Sequence, residues 1–176
     1  MKQFSRKPLP VILLLLLRCF SIPAQDTLID PTDSIWISGE GWDEKIITIA
    51  DFSNFKTIPL NEFSILDHNG IVVRKIRDAE GFLLKDLLSE FHLETDSPKN
   101  LSAIVFTCIA SDQYCVRYSW NEQYNTEIGN QVYVLTKLNN LPISRQKERI
   151  LMVSLLDFKT GRRFLQGLQK IVIDLY

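Results

Sequence analysis

The segment at residues 102–120 constrains the fold more than any other part of the chain. It reads SAIVFTCIASDQYCVRYSW, in which an apolar run is followed by the polar pair Ser111 and Asp112 and then by a second run. Two strand-prone runs on either side of a short polar turn predict a β-hairpin. The second run ends at Ser119, and its spacing to Glu122 predicts a capping box that starts a short helix.

The first 24 residues have the order of a secretory signal peptide. Basic residues come first, seven consecutive apolar residues follow at 11–17, and a small-residue cleavage site ends at Ala24. The apolar run is too short for a membrane span, which needs about 20 residues. We therefore predict a signal peptide at residues 1–24, export of residues 25–176 to the periplasm or the medium, and no stable membrane insertion.

The exported part is expected to be one acidic domain of 152 residues, long enough to bury about two-thirds of its unfolded surface. The whole chain has 20 basic and 21 acidic residues, and four of the basic residues leave with the leader. No acidic residue precedes Asp26, so 16 basic and 21 acidic residues remain, with a net charge of −5. Phosphate backbones bind to a basic face, so we predict no nucleic-acid partner.

Short strand candidates alternate with turns along most of the chain. A second hairpin is predicted where residues 63–66 and 71–73 flank Asn69 and Gly70, because Asn-Gly favours the left-handed backbone of a tight hairpin turn. The clearest helix has one apolar face, formed by Leu84, Leu87, Leu88 and Phe91. Strands dominate and helices are few, so we predict the α+β class with a mixed, strand-rich sheet.

Two cysteines, Cys108 and Cys115, remain after removal of the leader, and both lie in the first hairpin. Reflection about the turn at Ser111 and Asp112 places them opposite each other, which permits a cross-strand disulfide in an oxidising compartment. The alternative is two small residues that pack as free thiols. The sequence leaves both alternatives open.

Four short motifs follow one another in an order that is typical of one known family. They are IADF at 49–52 with IP at 58–59, EGFLLKDLL at 80–88, ASDQY at 110–114, and Asp157 with GRR at 161–163. This order resembles the molybdopterin-binding domain of the sulfite-oxidase superfamily, in its short exported form, over most of the exported chain. The resemblance implies that this chain has the fold of that domain, and it implies molybdopterin as the candidate cofactor.

The position of the family's metal ligand holds no cysteine in this sequence. Redox members bind molybdenum through a pterin dithiolene and one protein thiolate, which is a soft ligand. The family pattern places that thiolate around Asp67 and His68, but no cysteine lies between Cys19 and Cys108. Asp67 and His68 offer only harder donors, so we assign no metal ligand and expect no usual molybdenum centre. Cys108 is the rival thiolate, although its place in the order of elements is wrong for that role.

The resemblance also implies phosphate contacts by basic residues beside Gly161. Guanidinium groups match phosphate oxygens bidentately, and backbone donors in a turn add to them. The candidate cofactor-binding residues are Arg162, Arg163, Lys159, Asp67 and His68. A solvated turn between two strands is the alternative interpretation of the basic residues, and no catalytic residue is assigned.

These observations favour a non-catalytic binding protein with this fold. Its predicted partner is either a small anionic, pterin-like ligand or another protein. One alternative is an active periplasmic oxidoreductase that depends on a molybdenum cofactor, with Cys108 or a non-thiolate side chain completing the coordination. Another is an accessory module whose cleft is filled by its own side chains.

Overall fold

The structure is a computed structural model that describes residues 29–91, 93 and 97–176. The predicted signal peptide and its cleavage site lie outside the described residues. None of the helices in the described ranges has the length and apolar character needed to cross a membrane.

Most regular structure in the described chain is β-strand. The strands are β1 (Ser34–Gly39), β2 (Trp42–Thr48), β3 (Ile58–Leu60), β4 (Phe63–Leu66), β5 (Val72–Ile76), β6 (Ala79–Leu83), β7 (Ile104–Ala110), β8 (Cys115–Ser119), β9 (Val132–Leu138), β10 (Leu141–Pro142), β11 (Leu151–Ser154), β12 (Leu165–Gln166) and β13 (Leu168–Leu175). The α-helices are α1 (Leu84–Leu88) and α2 (Trp120–Tyr124). Short 3-10 helices occupy Ile49–Asn54, Pro98–Ala103, Glu127–Asn130, Ile143–Arg145 and Thr160–Arg163.

The strands form two large sheets and one small sheet. The first large sheet has the order β2-β1-β13-β7-β8, with β1 and β13 parallel and the other neighbours antiparallel. The second has the antiparallel order β12-β11-β9-β6-β3, with β10 also paired to β9. Strands β4 and β5 pair only with each other. Buried apolar side chains of all three sheets share one core, and the α+β prediction is confirmed.

The predicted amphipathic helix is confirmed in its buried face and corrected in its length. Leu84, Leu87 and Leu88 are fully buried, and Phe91 is buried just beyond the helix. The helix begins at Leu84 because the preceding residues extend as β6 and pair with β9, and it ends at Leu88, before Phe91. Cross-strand pairing therefore determines where this helix begins.

The β7–β8 hairpin is confirmed, but its register differs from the predicted one by one residue. Cys108 pairs with Val116, and Ile109 pairs with Cys115. The turn takes one more residue than predicted, with Gln113 in the left-handed region at φ 71°. Neighbouring positions of a strand point to opposite faces, so Cys108 is buried and Cys115 is exposed. The predicted opposition of the two cysteines is therefore wrong, and both are free thiols in this structure.

The second predicted hairpin is confirmed as β4 and β5, although its turn is not the Asn-Gly type expected. Gly70 has φ 84°, whereas Asn69 is not left-handed, so only one of the two positions uses the left-handed region. Thr160 attaches this hairpin to the rest of the chain. Its hydroxyl accepts a hydrogen bond from the N–H of Leu66 and donates one to the carbonyl of Ser64, both at 2.8 Å.

Thiol accessibility tests the hairpin register. In a Cys19→Ser background, the native protein should react with a chromogenic thiol reagent at Cys115 alone, and a second thiol should react only after unfolding. Cys108 is shielded because it is fully buried and because burial raises the pKa of its thiol to about 12. Two thiols that appear only after treatment with a reductant would contradict the observed register.

Replacement of Thr160 by valine tests the attachment of the hairpin. The variant keeps the shape of the side chain but leaves two backbone groups of β4 without their partner, so the free energy of unfolding should fall by about 1 to 3 kcal/mol in urea titrations. Thr57→Val is the matched control, because Thr57 is exposed and should change stability by less than about 0.5 kcal/mol. Equal effects of the two substitutions would show that the bridge does not stabilise the fold.

Candidate functional site

The β4–β5 hairpin and the turn at Thr160–Arg163 border an open cleft of about 470 Å³. The lining residues are Ile65, Asp67, His68, Val73, Tyr114, Gly161, Arg162, Phe164 and Gln166. Apolar walls with a few polar and charged groups are typical of sites that bind small molecules.

The backbone beneath Arg162 is fixed by two contacts. A Cβ atom at Gly161 would lie 2.6 Å from the carbonyl oxygen of Leu66, so only glycine allows the turn to approach the hairpin this closely. Tyr114, from the turn between β7 and β8, donates a hydrogen bond from its hydroxyl to the carbonyl oxygen of Arg162 at 2.6 Å. Both contacts hold the turn at the edge of the cleft.

The two residues at the predicted position of the family's thiolate both line the cleft. The carboxylate of Asp67 accepts hydrogen bonds from the N–H groups of Ile71 at 2.9 Å and Asn69 at 2.8 Å. The bond from Ile71, aided by that from Asn69, holds the pKa of Asp67 below its ordinary value, so this carboxylate is ionised and engaged in its own turn. His68 is exposed on the same turn, and its ring has no hydrogen bond or ion pair within the described residues.

Arg162 is the one lining residue of the cleft that carries a guanidinium. It is exposed, and its guanidinium forms no ion pair with any described residue. Outside the lining, the guanidinium of Arg74 lies 5.9 Å from the centre of the ring of Phe164, which does line the cleft. Among the lining residues the charge of Arg162 balances that of Asp67, whose carboxylate accepts hydrogen bonds from its own turn, so the guanidinium of Arg162 is the charged group left for an anion.

Arg163 belongs to an ion-pair cluster and does not line the cleft. Its Nε donates to Asp157 at 2.7 Å, and its Nη1 donates to Glu122 at 3.1 Å. The guanidinium also lies 4.7 Å from the centre of the Tyr118 ring. The hydrogen bond to Asp157 is the main cause of the raised pKa of Arg163. The structure therefore gives this residue a structural role, with its donors engaged by two carboxylates.

Lys159 lies in a neighbouring groove together with Arg163. Its Nζ would be 3.1 Å from a Cβ atom placed on Gly70, so the ammonium group lies beside the hairpin turn. Of the five residues predicted from the sequence, Asp67, His68 and Arg162 meet in the cleft, whereas Lys159 and Arg163 line the adjacent groove. Arg162 lines both cavities.

Three other residues of the cleft were not predicted from the sequence. Tyr114 is exposed at the end of the turn between β7 and β8, and its hydroxyl reaches the backbone of Arg162. Phe164 and Gln166 lie around β12, which has only two residues and pairs with β11. A strand this short has no local sequence pattern, so its position depends on tertiary contacts.

The donors at this cleft do not fit a thiolate-bound molybdenum centre. None of the lining residues is a cysteine. Cys108 is fully buried, and because its pKa is raised to about 12 it remains a protonated thiol at neutral pH. Across the described ranges, no three side chains of the His, Cys, Asp and Glu types are grouped so that they would hold a metal ion. The chemistry of the cleft suits an anion better than a soft metal.

Comparison with known proteins supports the fold. No family model and no curated protein sequence match the chain. Among solved structures, the sulfane dehydrogenase SoxCD from Paracoccus pantotrophus matches 80% of this chain at 11% sequence identity, with a TM-score of 0.54. The chain spans 38% of the length of that matched chain. This likeness shows a fold of the sulfite-oxidase-like kind, as the resemblance in the sequence predicts.

The two adjacent arginines should differ sharply in their effect on stability. Arg163→Ala leaves the carboxylates of Asp157 and Glu122 without their cation, so the free energy of unfolding should fall by about 3 kcal/mol. Arg162→Ala is the matched control, since this residue is exposed and should change stability by less than about 0.5 kcal/mol. Urea denaturation of both variants measures the difference, and similar values would contradict a structural role for Arg163.

Proposed function

We propose that this chain is an exported, non-catalytic binding protein that holds a small anionic, pterin-like ligand in the cleft between the β4–β5 hairpin and the turn at Thr160–Arg163. One observation carries the proposal. Arg162 lines the cleft with its guanidinium in no ion pair with any described residue, His68 lines the same cleft, and none of the lining residues is a thiol. Export rests on the leader-like order of residues 1–24.

The walls of the cleft favour a ligand that has both a flat apolar part and an anionic group. Val73 and Phe164 supply apolar surface over the buried Ile65, which suits the face of a ring system. Arg162 supplies a guanidinium fork for a phosphate or carboxylate, and Gln166 supplies an amide that both donates and accepts hydrogen bonds. A pterin that carries a phosphate has these two parts.

The alternative function is a molybdenum-dependent oxidoreductase of the periplasm. The name of the structural neighbour, a dehydrogenase, favours that class, but the likeness extends to the fold alone and to 38% of the neighbour's chain. Molybdenum in this setting needs a soft protein ligand. Asp67 is engaged in its own turn and Cys108 is buried, so the residues present favour binding without redox chemistry.

A thermal-shift titration with a pterin phosphate tests the proposal. The ligand should raise the Tm of the wild-type protein in a concentration-dependent manner, since a ligand at 100 times its Kd stabilises the folded state by about 2.7 kcal/mol. Arg162→Ala should weaken binding about tenfold or more, because a charge-assisted hydrogen bond contributes about 1.5 to 3 kcal/mol.

Arg145→Ala is the matched control for this titration. Arg145 is an exposed arginine in the 3-10 helix Ile143–Arg145, outside the cleft, so its removal lowers the net charge equally without touching the site. Equal loss of binding in the two variants would show a nonspecific charge effect. A wild-type Tm that does not respond to the pterin phosphate would contradict the proposed ligand and favour a cleft filled by its own side chains.

A further inference from the structure

A second concave surface lies beside the cleft and has a different character. This groove of about 550 Å³ is lined by Ile128, Leu156, Asp157, Phe158, Lys159, Arg162 and Arg163. Arg162 is the residue that both cavities share, whereas Ile128, Leu156 and Phe158 line the groove and not the cleft. The proposed ligand site therefore does not use the apolar side chains of this groove.

Two large apolar side chains of the groove are exposed to solvent. Phe158 has 96% of its surface exposed, so almost no other part of the described chain contacts its ring. Leu156, two residues earlier, is 49% exposed. Exposed apolar groups that cluster around a concavity and are bordered by polar residues are typical of interaction surfaces. The hydrophobic effect favours a partner that removes both side chains from water.

The charges of the groove indicate the chemistry of that partner. Asp157 and Glu122 share the guanidinium of Arg163, whereas Lys159 and Arg162 have no ion-pair partner in the described part of the chain. Two uncompensated cations therefore border the apolar side chains on a chain whose exported part carries a net charge of −5. A surface with this local sign attracts carboxylates and repels cationic partners.

We propose that this groove docks a partner protein that presents an apolar side chain flanked by carboxylates. Insertion of the apolar side chain would cover Leu156 and Phe158, and the flanking carboxylates would meet Lys159 and Arg162. A concave surface with an ion pair in its lining suits a protruding protein segment better than a flat lipid surface. Aromatic residues and arginine are also enriched at the centres of protein interfaces.

Fluorescence anisotropy tests this proposal with a defined probe. The probe is a labelled peptide in which leucine alternates with glutamate, and its analogue carries lysine in place of glutamate. The purified protein should bind the glutamate peptide at least about tenfold more tightly than the lysine peptide, and the difference should shrink as salt screens the charges. Phe158→Ser and Leu156→Ser should each weaken binding about tenfold, as expected for residues at the centre of an interface.

Leu141→Ser is the matched control, because Leu141 is 47% exposed and does not line the groove. It should leave binding of the peptide unchanged. Phe158→Ser should fold normally, since its ring makes few contacts, and it should keep the response of the protein to the pterin phosphate. A protein that responds to the pterin phosphate but does not bind the peptide would disprove the docking surface and leave the ligand site supported.

Four outcomes would overturn the proposal. The first is that the glutamate peptide does not bind. The second is that both peptides bind equally, which would mean that the groove binds apolar side chains and does not recognise charge. A third is an equal effect of Leu141→Ser and Leu156→Ser. The last is Phe158-dependent binding to vesicles of anionic lipid with no binding of the peptide, which would assign the surface to a membrane.

Discussion

The ion pair of Arg163 with Asp157 and Glu122 is the interaction on which the rest of the site depends. Glu122 also closes the capping box at the start of α2, where its carboxylate accepts a hydrogen bond from the N–H of Ser119 at 2.9 Å. One guanidinium thus connects α2 with the segment that follows β11. Arg163 therefore fixes the end of the turn at Thr160–Arg163 to α2 and to the segment after β11, while the neighbouring Arg162 is exposed at the cleft. Two adjacent arginines therefore have different roles, one structural and one available to a ligand.

The cleft follows from how closely that turn approaches the β4–β5 hairpin. Thr160 hydrogen-bonds to β4, and Gly161 allows the contact with Leu66 that any Cβ atom would prevent. The hairpin turn in this position carries Asp67 and His68, with the Asp67 carboxylate committed to its own backbone. A site built in this way has a free guanidinium, that of Arg162, and no free thiol, which is why we favour anion binding over molybdenum chemistry.

The elements that depend on local sequence patterns could be predicted, whereas the features that depend on tertiary contacts could not. The structure confirms the capping box from Ser119 to Glu122, the buried face of α1 and both hairpins. Each of these features depends on residues that are close together in the chain. The cysteine register is wrong because one extra turn residue, Gln113, moves every pair of β7 and β8 by one position. The placement of Arg163 and Lys159 outside the cleft was not predictable either, since it depends on partners as distant as Glu122 and Gly70.

The molybdenum content of the protein, purified from a host that makes the cofactor, tests the central claim most directly. Our account predicts far less than one metal atom per chain by elemental mass spectrometry, with no difference between the wild type and Cys108→Ser. His68→Cys, which places a thiol at the cleft, provides a comparison for a chain that has a soft donor there. About one tightly held molybdenum atom per wild-type chain, lost in Cys108→Ser, would contradict the account and establish a metal centre.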